Sequence, residues 1–259
     1  MPPGPDPALD LDPGAVRVDD RPGRWVVTCD HASNRVPPWV AGGDLGLPPE
    51  DMARHIAYDP GAAGVTRRLA ERLGGAAVLS GFSRLVIDPN RGEDDPTLVM
   101  RLYDGTIVPA NRRMDATERA RRLDRLHRPY HAALGRVLDA RPAPAVCAVH
   151  SFTPRLRGRA PRPWHVGVLS ARDRRLADPL LARLRALPDV VTGDNEPYSG
   201  DLPGDAMDRH ALARGRLHVL IELRQDLISD EAGQHAWADR LAPLLGAALE
   251  DAEEEHRDG

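Results

Sequence analysis

Several features are scarce or absent in this sequence, and each absence excludes a class of protein. Only two cysteines occur, Cys29 and Cys147, so a disulfide framework is excluded and a reducing, cytoplasmic location is expected. No apolar run approaches the roughly 20 residues that span a bilayer. The first residues also lack the basic and apolar regions of a signal peptide. We therefore expect neither secretion nor a membrane partner.

Lysine is absent as well, so all 35 residues counted as Lys or Arg are arginine. Together with 25 prolines and 23 glycines, this bias indicates a GC-rich coding sequence, and we expect most arginines to lie in solvent. The net charge of −4 argues against general binding of nucleic acid.

Segments typical of strands and helices alternate along the 259 residues. The predicted strands are RWVVTC, AAVLS, SRLVID, AVCAV, HVGVLS and LHVLIEL. The predicted helices are GAAGVTRRLAERLG, a long helix from DATERA to RVLDA that Pro129 should kink or split, RLADPLLARLRAL, GDAMDRHALARG, and one near Glu231 to Leu249. This alternation predicts an α/β fold with a mostly parallel sheet between helices.

One domain is expected, because no internal repeat and no convincing linker interrupts the alternation. Residues 1–20 are rich in Pro and Asp without periodicity and predict a flexible lead-in. Residues 21–250 would form a single catalytic α/β domain, and residues 251–259 an acidic helix end or C-terminal tail.

Ionisable and polar side chains cluster at the ends of four predicted strands. They are Asp30 and His31, then Asp88, Asn90 and Arg91, then His150, and finally Glu222. In open α/β sheets, ligands bind in the crevice outside the carboxyl ends of the strands. The sequence therefore predicts a site at this edge of the sheet.

His31 and His150 are the best candidates for metal ligands, because two imidazoles and a carboxylate form a common catalytic zinc shell. The segment HIAYDPGA offers the third ligand, either Asp59 or His55. Asp59 precedes a predicted helix, where its alternative role is to cap the helix. Asp30 and Asn34 are rivals for the third position. We expect one zinc ion, although another divalent metal would also suit these ligands.

Glu222 lies within an otherwise apolar strand. A buried carboxylate without a partner costs several kcal/mol or becomes protonated. Glu222 is therefore expected to face a metal, a cation or a water-filled cleft. The alternative is an internal ion pair with Arg224 or Arg84.

Seven blocks of the sequence resemble, in order, the N-formylglutamate amidohydrolase family. They are CDHASNRVP, HIAYDPGA, SRLVIDPNR, HRPYH, VHSFTP, NEPYSG and IELRQDLI, and they span about residues 24 to 230. VHSFTP, IELRQD and DPNR are also similar to segments of the wider zinc-carboxypeptidase group. That group has Glu three residues after its first His, where this sequence has Asn34.

The resemblance implies a phosphorylase/hydrolase-like, zinc exopeptidase-like fold, a three-layer sandwich around a mixed sheet. It also implies roles for six residues. His31 and His150 would bind zinc, Glu222 would act as general base, and Arg84 would stabilise the oxyanion. Arg91, together with Asn90, would hold a substrate carboxylate.

Further pocket residues are proposed from two segments that have plain structural alternatives. Asn195 and Tyr198 in NEPYSG would line the pocket, although Asn-Glu-Pro is also ordinary turn chemistry. His210 would enter the site from a predicted helix, or lie on the surface of that helix. His127 and His131 in HRPYH are four residues apart, but Pro129 bends the chain between them, so we assign them structural or supporting roles.

The function that these features imply is zinc-dependent cleavage of the N-formyl, or another short N-acyl, group from an acidic amino acid. The partner would be a small carboxylate-bearing amide. One alternative keeps the chemistry and changes the substrate to a peptide or another N-acyl amino acid. The other is a binding protein that recognises a carboxylate-bearing molecule without turnover.

Overall fold

The backbone is built around a mixed sheet of seven strands, and the computed structural model describes residues 12–258. The strands of this sheet are β1 Val16–Asp19, β2 Trp25–Cys29, β3 Ala76–Ser80, β6 Ala145–Phe152, β7 Val166–Leu169, β8 Thr192–Asp194 and β9 His218–Arg224. A separate hairpin consists of β4 Leu102–Tyr103 and β5 Thr106–Ile107.

The strand order across the main sheet is β1-β3-β2-β6-β9-β7-β8. The four strands β3, β2, β6 and β9 are mutually parallel, while β1 and β7 run antiparallel to their neighbours β3 and β9. The predicted mixed, mostly parallel sheet is therefore confirmed. Because the central strands are parallel, their carboxyl ends lie along one edge of the sheet.

Seven α-helices surround the sheet in residues 12–258. They are α1 Pro49–Met52, α2 Ala62–Arg72, α3 Ala116–Arg122, α4 Arg128–Asp139, α5 Ala177–Arg185, α6 Ala206–His210 and α7 Glu231–Asp258. A π-helical turn, Leu123–His127, joins α3 to α4, and short 3-10 turns occupy Ala41–Gly43, Pro109–Asn111, Leu212–Arg214 and Gln225–Leu227. In the described part of the chain, no helix is both long and apolar enough to cross a membrane.

Alternating side chains of the strands supply two separate cores. Val27 and Cys29 pack in the core that also contains the apolar faces of α2, α5 and α7. Val26 points to the opposite core, which α4, α6 and the loops after β3 cover. This period of two is the geometry of a strand buried on both faces. The result is the three-layer arrangement that the resemblance implied.

Two expectations about segments are wrong. Residues 16–19 were predicted to belong to a flexible lead-in, yet β1 pairs with β3 through its backbone despite its polar side chains. Of the two alternatives for the acidic C-terminal residues, the structure has the helix end, because α7 continues to Asp258. SRLVID is a buried turn and loop, because Leu85 and Val86 bond locally to Ser83 rather than to a neighbouring strand. The remaining prediction of a flexible start, for residues 1–11, lies outside the described residues.

Candidate functional site

A cavity of about 270 Å³ opens at the carboxyl ends of the parallel strands. Its size is near the lower end of the range of small-molecule pockets, so it suits a small substrate. His31 follows β2, whereas His150 on β6 lies directly opposite Glu222 on β9. The wall contains eight of the predicted site residues, namely His31, Asp59, Arg84, Asn90, Arg91, His150, Tyr198 and Glu222.

Two imidazoles and one carboxylate converge on a single point in this wall. Nδ1 of His31 lies 3.3 Å from Oδ2 of Asp59, and Nδ1 of His150 lies 2.9 Å from the same oxygen. The possible ligand atoms of the three side chains lie within 4.8 Å of one another, and all three side chains are buried. This set of donors is one that zinc commonly uses in proteins.

The other nitrogen of each imidazole faces a second carboxylate. Nε2 of His31 lies 2.7 Å from Oδ1 of Asp88, and Nε2 of His150 lies 3.2 Å from Oδ2 of Asp30. Both nitrogens of each ring face a carboxylate. When Nε2 carries the proton and donates it to Asp88 or Asp30, Nδ1 presents its lone pair to a cation shared with Asp59, an arrangement typical of histidines that bind metals.

The charges around the two histidines also fit a divalent cation. Burial by itself would raise the pKa of Asp30, Asp59 and Asp88, but the nearby donors and positive charges hold each pKa below its usual value. These three carboxylates contact the histidines, and the Arg84 guanidinium offsets one of their charges. Two negative charges are left, which is the charge that a divalent cation would neutralise.

His150 responds to the same surroundings. Burial alone would lower the pKa of its imidazole, but hydrogen bonds to Asp30 and Asp59 and the charges of both carboxylates raise this pKa well above its usual value. The environment of the imidazole therefore favours a positive charge at this point, whether a proton or a metal ion supplies it.

Local backbone geometry brings Asp59 into the cluster. The N-cap residue of α2 is Gly61, with a φ of 81°, and no side chain caps this helix. A Cβ atom on Gly61 would lie 2.2 Å from the carbonyl oxygen of Ile228, so only glycine fits there. The alternative role of Asp59 as the cap of α2 is therefore wrong, and its carboxylate is directed to the two histidines.

The rivals for the third ligand position have other partners. Asp30 binds Nε2 of His150 and the hydroxyl of Tyr130, on the far side of the imidazole from Asp59. Asn34 is exposed and donates to the carbonyl of Met52. His55 lines the cavity, with its Nε2 3.5 Å from Oδ2 of Asp104.

Glu222 is buried in the wall next to this cluster. Its Oε2 has no hydrogen-bond partner among the described residues. Burial, together with the charge of Asp59, raises the pKa of this carboxyl to about 7. The alternative ion pair is absent from the described part of the chain, because Arg84 binds Asp88 and Arg224 binds Asp226. A carboxyl with these properties suits proton transfer near neutral pH.

Arg84 lies beside the cluster, within a loop rather than at the start of a strand. Its Nη2 donates to Oδ2 of Asp88 at 2.9 Å, and its Nη1 lies 3.6 Å from Oδ1 of Asp59. The guanidinium also lies over the ring of Tyr103, at 5.3 Å from the ring centre. These contacts fix a partly buried positive charge at the wall of the cavity.

The Asn90-Arg91 pair forms another part of the wall. The backbone N–H of Asn90 donates to Oδ1 of Asp88, and its side-chain oxygen accepts from the N–H of Ala206. Arg91 donates through Nε to Thr97 and through Nη1 to the carbonyl of Asn90. Within residues 12–258, no acceptor hydrogen-bonds to Nη2 of Arg91, so this donor is available to a ligand.

The remaining predicted pocket residues separate into one that lines the cavity and two that do not. Tyr198 lines it and lies under the guanidinium of Arg162, which is 5.0 Å from the ring centre. Asn195 accepts hydrogen bonds from the backbone N–H groups of Ser170 and Gly200 and is not part of the wall.

His210 is buried beside His131, with its Nε2 2.9 Å from Nδ1 of that residue. It too lies outside the cavity wall. Asn195 and His210 both have partners in other parts of the protein, and their contact with a substrate stays a prediction.

Two contributors were missed as site residues. Asp88 contacts His31, Arg84 and the backbone of Asn90, so one carboxylate connects three parts of the site. The sequence offered one indication of this role, the position of Asp88 two residues before Asn90 in DPNR. Tyr130 reaches Asp30 from α4, and its place in HRPYH was the only hint.

The fold and this cluster together describe an α/β protein with a candidate metal centre in a cavity of substrate size. The chain belongs to the N-formylglutamate amidohydrolase family, whose family model matches residues 23–229.

Individual relatives agree with this assignment. The chain is 29% identical to the N-formylglutamate deformylase of Pseudomonas putida, over 84% of this chain and 86% of that protein. It is 28% identical to the enzyme of the same name from Pseudomonas aeruginosa, over 87% and 90% of the two chains.

Solved structures show the same fold. The crystal structure of gene product Atu2144 from Agrobacterium tumefaciens is 34% identical, with a TM-score of 0.87 over 94% of this chain and 99% of that one. The N-formylglutamate amidohydrolase from Ralstonia eutropha JMP134 is 22% identical, with a TM-score of 0.68 and the same coverage.

Proposed function

We propose that this protein is a zinc-dependent amidohydrolase that cleaves the N-formyl amide of N-formylglutamate, or of a close N-acyl amino acid, to formate or another acid and the free amino acid. The observation that carries this proposal is the position of Glu222. A buried carboxyl group, whose Oε2 has no hydrogen-bond partner in residues 12–258, lies beside two histidines and an aspartate that suit zinc. The family assignment and the names of the Pseudomonas relatives support the choice of substrate.

His31, Asp59 and His150 are the residues that would hold the metal. A divalent cation bound there would supply Lewis-acid polarisation of the amide carbonyl and would make a water molecule more acidic. Glu222 takes a proton from the attacking water while the oxygen of this water bonds to the carbonyl carbon. Glu222 then gives this proton to the amide nitrogen as the C–N bond breaks, which restores the carboxylate.

Arg84 and the Asn90-Arg91 pair have separate tasks in this scheme. The guanidinium of Arg84 offsets the negative charge that develops on the carbonyl oxygen, and its contacts to Asp88 hold it in place beforehand. Nη2 of Arg91 and the side-chain amide of Asn90 bind a carboxylate of the substrate. Holding this carboxylate fixes the distance between it and the scissile amide.

The arrangement favours turnover over simple binding. A protein that only bound a carboxylate would not need an unpartnered buried carboxyl group, which costs free energy of folding. Other N-acyl amino acids and peptides remain alternative substrates for the same chemistry. We also infer a cytoplasmic location, which the two unpaired, buried cysteines support.

The test of Glu222 compares two glutamate variants of the zinc-loaded protein. We expect Glu222→Gln to keep its fold and its metal but to lower kcat for N-formylglutamate by several orders of magnitude, because the amide cannot accept the proton. The control is Glu71→Gln, since Glu71 is exposed on α2 and pairs with Arg68. A near-normal kcat for Glu222→Gln would remove this residue from the mechanism.

The test of the substrate compares free acids with neutral analogues. Arg91→Ala should reduce kcat/KM for N-formylglutamate far more than for its ester or amide, because loss of a carboxylate partner costs about 2–5 kcal/mol. Arg121→Ala is the control, since Arg121 lies over Trp39 on the surface. Equal losses for acid and analogue would reject the carboxylate contact. If the zinc-loaded wild type hydrolyses no N-acyl amino acid, the proposed activity itself is rejected.

A further inference from the structure

Residues 127–131, HRPYH, lie behind the candidate site and have no part in the proposed chemistry. The π-helical turn Leu123–His127 ends here and α4 begins at Arg128, so Pro129 lies in the first turn of α4, where a missing N–H is tolerated. His127, Tyr130 and His131 are all buried. A π-helical turn is uncommon and often marks a functional region.

Tyr130 connects this segment to the candidate metal ligand His150. Its hydroxyl donates to Oδ1 of Asp30 at 2.5 Å, while Oδ2 of Asp30 accepts from Nε2 of His150. Burial raises the pKa of the Tyr130 hydroxyl well above its usual value, so this group keeps its proton and remains a donor. Asp30 is thus held between one hydrogen bond from the imidazole and one from α4.

His127 connects the same segment to the loop that carries Asn90 and Arg91. Its Nε2 lies 2.9 Å from the carbonyl oxygen of Arg91 and donates to it. Burial lowers the pKa of this imidazole, which keeps the ring neutral, with one N–H to donate. This hydrogen bond fixes the backbone from which the Arg91 side chain extends into the cavity.

His131 packs against both of these side chains. Its ring centre lies 4.4 Å from that of His127 and 5.5 Å from that of Tyr130. The opposite side of the ring stacks on His210 at 5.1 Å. The two contacts to the site therefore come from one packed unit and not from independent side chains.

We propose that residues 127–131 are a positioning segment that serves two parts of the site at once. Tyr130 orients the candidate metal ligand His150 through Asp30, and His127 positions Arg91 through its backbone carbonyl. The proposal rests on the proposed function for the role of Arg91, but the metal contact of His150 can be measured without any substrate.

The first arm of the test measures metal affinity. Tyr130→Phe keeps the ring and removes only the hydroxyl, so we expect the zinc dissociation constant, measured by competition with a chelator, to rise about tenfold. Trp39→Phe is the matched control, because it removes an aromatic N–H from the carboxylate of Asp12, away from the cavity. A folded Tyr130→Phe variant that binds zinc as tightly as the wild type would overturn the role of Tyr130.

The second arm measures the position of Arg91. His127→Leu removes the donor, and we expect KM for N-formylglutamate to rise about tenfold with kcat nearly unchanged, since a loosened contact weakens binding more than proton transfer. His127→Gln keeps a donor and should recover much of the loss. His218→Gln is the control. His218 is also a buried histidine that bonds to a backbone carbonyl, but it begins β9, at the other end of the strand from Glu222.

Hydrogen exchange makes this second arm independent of activity. We expect peptides that cover residues 88–98 to exchange faster in His127→Leu than in the wild type, with no change in His218→Gln. Unchanged exchange in a folded His127→Leu variant would overturn the role of His127. If the wild type lacks activity, the proposed function fails, while metal affinity and exchange still decide whether the segment positions His150 and Arg91.

Discussion

One group of buried histidines lies in the candidate site and another lies behind it, and their surroundings differ. His31 and His150 each lie between two carboxylates, at distances of 2.7 to 3.3 Å. His127, His131 and His210 contact one another, and His127 also bonds to the backbone. In the first group a carboxylate faces both ring nitrogens, whereas within residues 12–258 no carboxylate hydrogen-bonds to an imidazole of the second group.

The pKa values of the imidazoles differ in the same way. Burial lowers the pKa of an imidazole in both groups, but for His150 the carboxylates Asp30 and Asp59 reverse the effect. For His131 and His210, burial and nearby positive charges act together, and the pKa of His210 falls to about 4. All of these histidines are buried, so the neighbouring carboxylates explain why the environment of His150 favours a positive charge while that of His131 and His210 does not.

The largest expected effect concerns metal content. A double variant, His31→Ala with His150→Ala, should lose zinc from purified protein, because only Asp59 of the three ligands would remain. His210→Gln, from the second group, should hold about as much zinc as the wild type. Elemental analysis of the purified variants measures both. Equal zinc loss in the two variants would erase the distinction between the groups.

A smaller effect is expected when one carboxylate is removed from the first group. Asp30→Asn replaces the acceptor at Nε2 of His150, so the zinc dissociation constant should rise about 10- to 100-fold. Asp12→Asn provides the comparison, because Asp12 is also a buried carboxylate but binds Arg35 and Trp39. Equal zinc affinity for Asp30→Asn and the wild type would mean that the carboxylate is not what separates the two groups.

The smallest effect concerns folding stability at mildly acidic pH. Above pH 6.5, His210 is neutral in the folded and unfolded chains. Below that pH His210 of the unfolded chain binds a proton. His210 of the folded chain binds one only near pH 4, because its pKa is lowered to about 4. The free energy of unfolding should therefore fall by about 1 kcal/mol between pH 6 and pH 5 because of this residue.

Denaturant titrations of the wild type and His210→Gln at both pH values measure this contribution. Between pH 6 and pH 5 the free energy of unfolding should fall further for the wild type than for the variant. The extra fall should correspond to about one additional proton bound by the unfolded wild-type chain. Parallel curves for the two proteins would show that folded His210 binds its proton as readily as the unfolded chain does. His210 would then not belong to the neutral group.

The regular elements were predictable where apolar patterns are strong. The strands β2, β3, β6, β7 and β9 and the helices α2, α5 and α7 were found from runs and periodicity in the sequence. Periodicity failed for SRLVID, because Leu85, Val86 and Ile87 are buried in a loop and an apolar run does not specify backbone pairing. Periodicity also failed for β1, because this strand is recognised by its backbone pairing with β3 and not by a pattern of apolar side chains.

The part of the candidate site that lies at strand ends could be predicted from the sequence. His31, His150 and Glu222 stand at the ends of parallel strands, which meet at one edge of the sheet. Whether Asn195 and His210 line the cavity could not be decided from the sequence, because a turn and a short helix do not reveal which way a side chain points; neither belongs to the cavity wall. Asp30 and Tyr130 are 100 residues apart in sequence, so their contact could not be found before folding.

The sequence by itself determined the alternating α/β pattern and the set of polar residues at the strand ends, because both depend on local periodicity. Only the tertiary structure decided that Asp59, rather than Asp30, Asn34 or His55, joins the two histidines. That choice depends on the turn at Gly61 and on carboxylates that reach the imidazoles from distant segments. Contacts of this kind follow from packing in three dimensions, which local sequence patterns do not contain.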